Sequence, residues 1–201
     1  MKRKIIIIGA AIVLSVAFLL TQRGGSLTQS ARATAPVAAE VTDLNSLEPL
    51  KQAFQRDRGA VRIVALLSPV CPACRAGFTD MQKVLKAIPD ERLRAHIIWL
   101  PMFPGDSRKW AQTRSDEFSD KRLSYYWDGE RHTGKEWQRA LSIKPLAWDV
   151  YLLYGASSQW DKEPAAPDFW MHQLGAVTTA PRLDEEAFEA KVKELLNQAK
   201  R

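Results

Sequence analysis

Apolar and polar residues alternate between two periods along this chain. Residues 61–67 (VRIVALL) form a short, almost uninterrupted apolar run, as does 94–100 (RAHIIWL), and both predict buried strands. Between them, Pro72 to Ile88 carries Phe78, Met81, Leu85 and Ile88 at helical spacing and stops at Pro89-Asp90, which predicts a helix with one buried face. A short helix is expected near 46–57. Gly105-Asp106-Ser107 supplies a turn and an N-cap for a polar helix running to about Phe118. Leu123 to Trp127 predicts a third short strand, and Thr133-Gly134-Lys135-Glu136 has the capping-box pattern ahead of a helix bearing Trp137 and Leu141. Trp148–Tyr154 and Asp168–Leu174 predict a hairpin. A last amphipathic helix follows from Asp184 to about Ala199, with Phe188, Val192, Leu195 and Leu196 on its stripe. No internal repeat is evident.

The first residues follow a different pattern. Met1-Lys2-Arg3-Lys4 precedes an uncharged apolar run from Ile5 to Leu20, which marks an export signal or membrane anchor. At 1.5 Å per residue the run spans roughly 24 Å, a little less than the ~30 Å hydrocarbon core. Ala31-Arg32-Ala33 and Ala33-Thr34-Ala35, the small-residue cleavage motifs, lie far beyond Leu20, so an uncleaved anchor over 1–22 is expected. The N-terminal charges then stay in the cytoplasm and the remainder faces outward, in a bacterium into the periplasm. Residues 23–45, rich in Ala, Thr, Ser and Gln, read as a flexible tether, which leaves 46–201 as one folded domain.

The formal charge of +6 is concentrated at that end: residues 1–41 hold five basic residues against Glu40 alone. The folded part is close to balanced. It has no basic run interleaved with aromatics, so nucleic acid is excluded as a partner.

Both cysteines of the chain lie in Cys71-Pro72-Ala73-Cys74, where the first core strand meets the helix. There the unpaired N–H groups and the positive end of the helix dipole favour a thiolate at Cys71, and Pro72 suits the first helical position. A low thiol pKa is expected. Zinc would need further ligands at short spacing, whereas His96, His132 and His172 are scattered singly. A structural CxxC bridge would close too small a loop to be a useful staple. Redox activity is the reading that remains, with Cys71 as attacking thiolate and Cys74 as the resolving cysteine.

The element order, together with Ser68-Pro69-Val70-Cys71-Pro72-Ala73-Cys74 and with Lys144-Pro145 ahead of the hairpin, resembles the thioredoxin-like superfamily, in a divergent branch. The resemblance implies an α/β fold: a central mixed sheet flanked by helices, here with a helical insertion. It further implies a membrane-tethered thiol–disulfide oxidoreductase that exchanges with protein thiols and disulfides and with a redox partner, with no cofactor beyond its own disulfide. In that family a cis-proline precedes the third core strand and faces the cysteines. Pro145 is the positional match, with Ala147-Trp148-Asp149 as the other occupant of that place. The chain departs from thioredoxin itself in having Val70 for the tryptophan before the first cysteine, and Ala65 for a buried acid. Asp149 is a candidate replacement proton acceptor near Cys74.

Of the seven tryptophans, Trp99 and Trp148 are expected in the core, and Trp160 and Trp170 are the candidates for a partner surface. Phe169-Trp170-Met171-His172 carries an alternative from another class, a Sco-like chaperone for copper or another soft metal, held by Cys71, Cys74 and His172.

Overall fold

A computed structural model describes residues 38–199, and the predicted anchor and most of the tether lie outside the described residues. The sheet is built from β1 (Val41–Asp43), β2 (Val61–Leu67), β3 (Leu93–Trp99), β4 (Leu123–Trp127), β5 (Val150–Tyr154) and β6 (Phe169–His172). The helices are α1 (Glu48–Arg56), α2 (Pro72–Ala87), α3 (Arg108–Asp116), α4 (His132–Ala140) and α5 (Glu185–Gln198). Strand order is β1-β4-β3-β2-β5-β6. The β2–β3, β3–β4 and β1–β4 pairs are parallel, while β5 runs antiparallel to both β2 and β6.

The uninterrupted apolar runs have a simple cause: β2 and β3 are central strands covered on both faces. Val61, Ile63, Ala65 and Leu67 point to the side of α2 and α5, packing with Phe78, Met81, Val84, Phe188 and Val192. Val64 and Leu66 point to the other side, where they meet Leu50 and Phe54 of α1 and Trp137 of α4. Both cysteines belong to the first of these layers.

Two expectations need correction. The last part of the stretch read as tether is folded, since Val41–Asp43 pairs with Tyr125–Trp127 at the sheet edge. A three-residue strand is too short to show a period, so composition alone made it look like linker. The third short strand expected at Leu123–Trp127 is present as β4, which enters the sheet between β3 and β1, so the insertion carries this strand as well as its helices. Thr133 is not an N-cap. It lies inside α4, buried, and it is Asp128 that accepts from the backbone N–H groups of His132 (3.0 Å) and Thr133 (2.7 Å) and from the Thr133 hydroxyl (2.6 Å).

Beyond β6 the chain turns back along its outer edge. His172 N–H donates to the Pro181 carbonyl at 3.2 Å and Leu183 N–H to the His172 carbonyl at 2.9 Å, forming a parallel bridge between His172 and Arg182. No helix among the described residues is long and apolar enough to cross a membrane.

Candidate functional site

Cys71 is the N-cap of α2, with extended backbone (φ −67°, ψ 123°), and its sulfur accepts from the Cys74 backbone N–H at 3.4 Å. Cys74 lies one turn in and is completely buried, whereas Cys71 retains a little exposure. Both are free thiols. Their surroundings drive their acidities apart. Hydrogen bonding from the Cys74 side chain, helped by the backbone N–H groups of Cys74 and Ala73, outweighs burial and holds the Cys71 thiol down to about 6. Burial first, and the hydrogen bond to Cys71 second, push the Cys74 thiol far up.

The turn that presents Cys71 is held by Asp106. Its carboxylate accepts from the Ser68 hydroxyl (2.8 Å) and from the backbone N–H groups of Val70 (3.0 Å), Met102 (2.8 Å) and Phe103 (2.8 Å). Arg114 adds a bond from Nε to the Pro69 carbonyl at 3.0 Å. Two loops are thereby tied together beside the exposed Phe103, which packs edge-on against Trp148 with ring centroids 5.6 Å apart.

Opposite the cysteines stands Asp149, immediately before β5. Its φ of +51° is left-handed, a region that aspartate tolerates better than most side chains do. The residue is 2 % exposed, and one carboxylate oxygen and the two cysteine sulfurs all lie within 4.8 Å of one another. The Tyr151 hydroxyl donates to Asp149 Oδ1 at 3.1 Å, and Gln173 Nε2 donates to the same oxygen at 3.0 Å. Gln173 Nε2 also reaches the Ala73 carbonyl at 2.9 Å, which joins this loop to the first turn of α2. Burial raises the carboxyl of Asp149 above its ordinary range against the pull of these donors. Gly77 makes room for the arrangement, since a Cβ there would sit 1.9 Å from the Tyr151 hydroxyl oxygen.

The structure thus brings Cys71, Cys74 and Asp149 together and leaves the other predicted residues elsewhere. Pro145 is half-buried in the segment after α4, and no peptide bond among the described residues is cis. Asp149, not Pro145, occupies the position before β5 that faces the sulfurs. His172 does not join the thiols. Alternation along β6 puts Met171 on the cysteine side and turns His172, with Trp170, to the opposite face. Both its ring nitrogens are engaged by backbone: Nε2 is 3.0 Å from the Ala180 carbonyl, and Nδ1 accepts from Leu174 N–H at 3.0 Å. Trp160 is buried edge-on against Trp137 and Phe54, so it offers no partner surface, and Trp148 is only half-buried. Trp99 is core as expected.

Sequence reasoning passed over Asp106, Tyr151, Gln173 and Gly77. Gly77 carried a usable signal, because a glycine inside a helix costs about 1 kcal/mol against alanine and calls for a packing reason.

A β-α-β unit with CxxC at its strand-to-helix turn, followed by an antiparallel hairpin and a helix on the same sheet, defines a thioredoxin-like fold. No family model and no curated protein matches the sequence. Solved structures similar to this chain include proteins described as thiol:disulfide interchange or thioredoxin-family proteins. A thiol-disulfide isomerase from Corynebacterium glutamicum is 19 % identical with a TM-score of 0.46, the match covering 71 % of this chain and 84 % of that one. A secreted disulfide oxidoreductase from Mycobacterium tuberculosis is 15 % identical (TM-score 0.43; 70 % and 86 % covered). A SCO1/SenC family lipoprotein from Bacillus anthracis is 12 % identical (TM-score 0.47; 71 % and 85 % covered). At these values the class rests on the strand order and connections described above.

Proposed function

We propose that this protein is a thiol–disulfide oxidoreductase that exchanges with protein partners through Cys71 and Cys74, working outside the cytoplasm on a tether supplied by its N-terminal apolar segment. The observation that carries this reading is the asymmetry of one CxxC pair, with Cys71 at the N-cap of α2, its sulfur accepting from the Cys74 N–H, and Cys74 one turn in and wholly buried. A thiol held down to about 6 is almost wholly thiolate at neutral pH and attacks a disulfide sulfur, while its buried neighbour stays protonated until a mixed disulfide forms beside it. Val70, Phe103 and Trp148 supply an apolar rim at the Cys71 end for an unfolded or extended partner segment.

The test is trapping. Cys74→Ser is expected to accumulate mixed disulfides with natural partners on a non-reducing gel, and Cys71→Ser to accumulate none. Equal trapping by the two variants would overturn the assignment of roles.

Soft-metal carriage is the competing reading, and the enclosed thiol pair keeps it in view. His172 is committed to backbone and turned to the other face, so His172→Ala is expected to leave Cu(I) affinity of the reduced protein unchanged and disulfide exchange nearly intact. Tight one-to-one Cu(I) binding in a protein that exchanges no disulfides would replace the oxidoreductase reading with the metal one.

A further inference from the structure

Among the described residues two arginines are buried, and only one of them has a counter-ion. Arg122, 7 % exposed, donates to the Leu85 and Ile88 carbonyls and pairs with Asp120, its Nη2 lying 2.6 Å from the carboxylate. Arg62, 1 % exposed, does similar work from β2 on the α1 side of the sheet. Its Nη1 donates to the Phe54 carbonyl at 3.2 Å and its Nη2 to the carbonyls of Gly155 (2.6 Å) and Ser158 (2.9 Å), while the guanidinium lies over the Phe54 ring, 4.1 Å from its centroid. No carboxylate pairs with it among the described residues. The acids whose charge reaches it are engaged elsewhere: Asp57 with Arg94 (3.6 Å) and His96 (3.2 Å), and Asp168 with the Gly155 N–H (2.7 Å) and the Ser158 hydroxyl (2.7 Å).

A buried cation with no carboxylate beside it is costly to desolvate, and Arg62 Nε, itself buried, has no acceptor. Burial holds the guanidinium below its ordinary range against the pull of Asp57 and Asp168, and the charge of Arg58 pushes the same way as burial. Arg62 and Arg58 line one cavity of about 280 Å³ between the end of α1 and the loop after β5. Arg58 is exposed and forms no ion pair among the described residues. Phe54 and Trp160, both buried, give the cavity aromatic walls, and Asp161 is the one acid that lines it. Two guanidinium groups thus stand against one carboxylate. Guanidinium recognises a carboxylate through charge-assisted N–H donation, while the aromatic walls and Asp161 disfavour a dianion such as phosphate.

We propose that this cavity binds a small organic acid, its single carboxylate held between Arg62 and Arg58 and its compact apolar body set against Phe54 and Trp160. The site is separate from the thiol chemistry, because Phe54 and Trp160 pack on one side of the sheet and both cysteines on the other. A bound acid bridges α1, β2 and the loop after β5, and so fastens three segments that the Arg62 guanidinium already gathers through their carbonyls. The same chemistry comes either from a free acid or from the carboxyl terminus of a peptide that ends in an apolar residue.

The experiment is isothermal titration calorimetry on the full chain in detergent, with benzoate, benzamide, inorganic phosphate and the peptide Gly-Gly-Gly-Phe as probes. Benzoate is expected to bind one-to-one and benzamide not to bind. Equal binding of the two would reveal an aromatic slot without a carboxylate site and overturn the proposal, as would tighter binding of phosphate or a benzoate Kd above about 10 mM. Benzoate binding more tightly than the peptide assigns a free acid, and the reverse order assigns a chain terminus; both support the site. Arg62→Met is expected to weaken benzoate about tenfold or more, the scale of losing a charge-assisted hydrogen bond, and an unchanged affinity defeats the proposal. Arg62 also clamps three carbonyls, so if that variant does not fold, Arg58→Gln at the exposed rim decides. A weakening of about threefold supports the site, and no change overturns it. Benzoate is expected to leave the alkylation rate of Cys71 unaltered; a changed rate would place the acid at the thiols and overturn the separate site. Failure of the unaltered protein to exchange disulfides, by contrast, strikes the oxidoreductase reading and leaves this site standing.

Discussion

Gly77→Ala is expected to destabilise the protein by about 2 kcal/mol, although alanine is the better helix former. Helix propensity alone favours the change by about 1 kcal/mol. Against that, the new methyl would lie 1.9 Å from the Tyr151 hydroxyl oxygen, 2.6 Å from Tyr151 Cζ and 2.8 Å from Gln173 Nε2. Tyr151 is fully buried on a central strand and cannot swing aside, and overpacking of this kind costs roughly 1–3 kcal/mol or more. For a domain of this size the midpoint of thermal unfolding should fall by about 4–8 °C. Tyr151→Leu, which empties the space the methyl needs, should recover a large part of the loss in the double variant. A raised melting temperature in Gly77→Ala alone would show that the helix is not fitted to Tyr151 as described.

The second large effect concerns pH. With Cys71 held down to about 6, alkylation of the reduced protein should reach half its plateau rate near pH 6. An ordinary cysteine, at about 8.5, is a few per cent thiolate at pH 7, so the thiolate population of Cys71 there should be about thirtyfold larger. Linkage fixes the sign for stability. A folded-state value below the unfolded one means that the unfolded chain binds more protons between them, so the reduced protein gains stability as pH rises from about 6 to about 8.5, and loses that gain as pH falls through 6. Cys74 acts in the opposite direction. Its value is raised by burial, so above about 8.5 the unfolded chain can ionise a thiol that the folded chain keeps neutral, and stability declines again. A denaturant midpoint for the reduced protein that peaks near pH 8.5 is the expected result; a midpoint that falls steadily between pH 6 and 8 would contradict the thiolate at Cys71. The same preference for thiolate stabilises the reduced form and makes the disulfide the more oxidising partner in exchange.

How much of this was legible in the chain depends on the distance over which each residue acts. β2, α2, β3 and α5 declared themselves because each carries its own period, and Cys71 and Cys74 because helix-terminus chemistry is local. Ser107 and Asp184 cap α3 and α5 through groups three residues away, at 3.3 and 2.8 Å, and so could be read directly. β1 could not, having three residues and a partner over eighty positions later. Asp149 was legible as chemistry but not as geometry: nothing in Ala147-Trp148-Asp149-Val150 reports that Gln173 will come in from beyond the next strand. Asp106 read as part of a turn because its four donors come from two separated loops. His172 misled for the same reason in reverse, since a period of two decides its face only once the register of β6 on β5 is known.

The strap formed by Pro181 to Leu183 along β6 bears on how this molecule meets others. An open sheet ends in unpaired N–H and C=O groups, which recruit strands from neighbouring chains and seed aggregation. Here the β6 side is occupied by the protein's own backbone next to His172, and the β1 side offers only three residues. If the protein exchanges disulfides with other chains as proposed, this covered edge keeps an extended partner segment from annealing sideways to β6 next to His172.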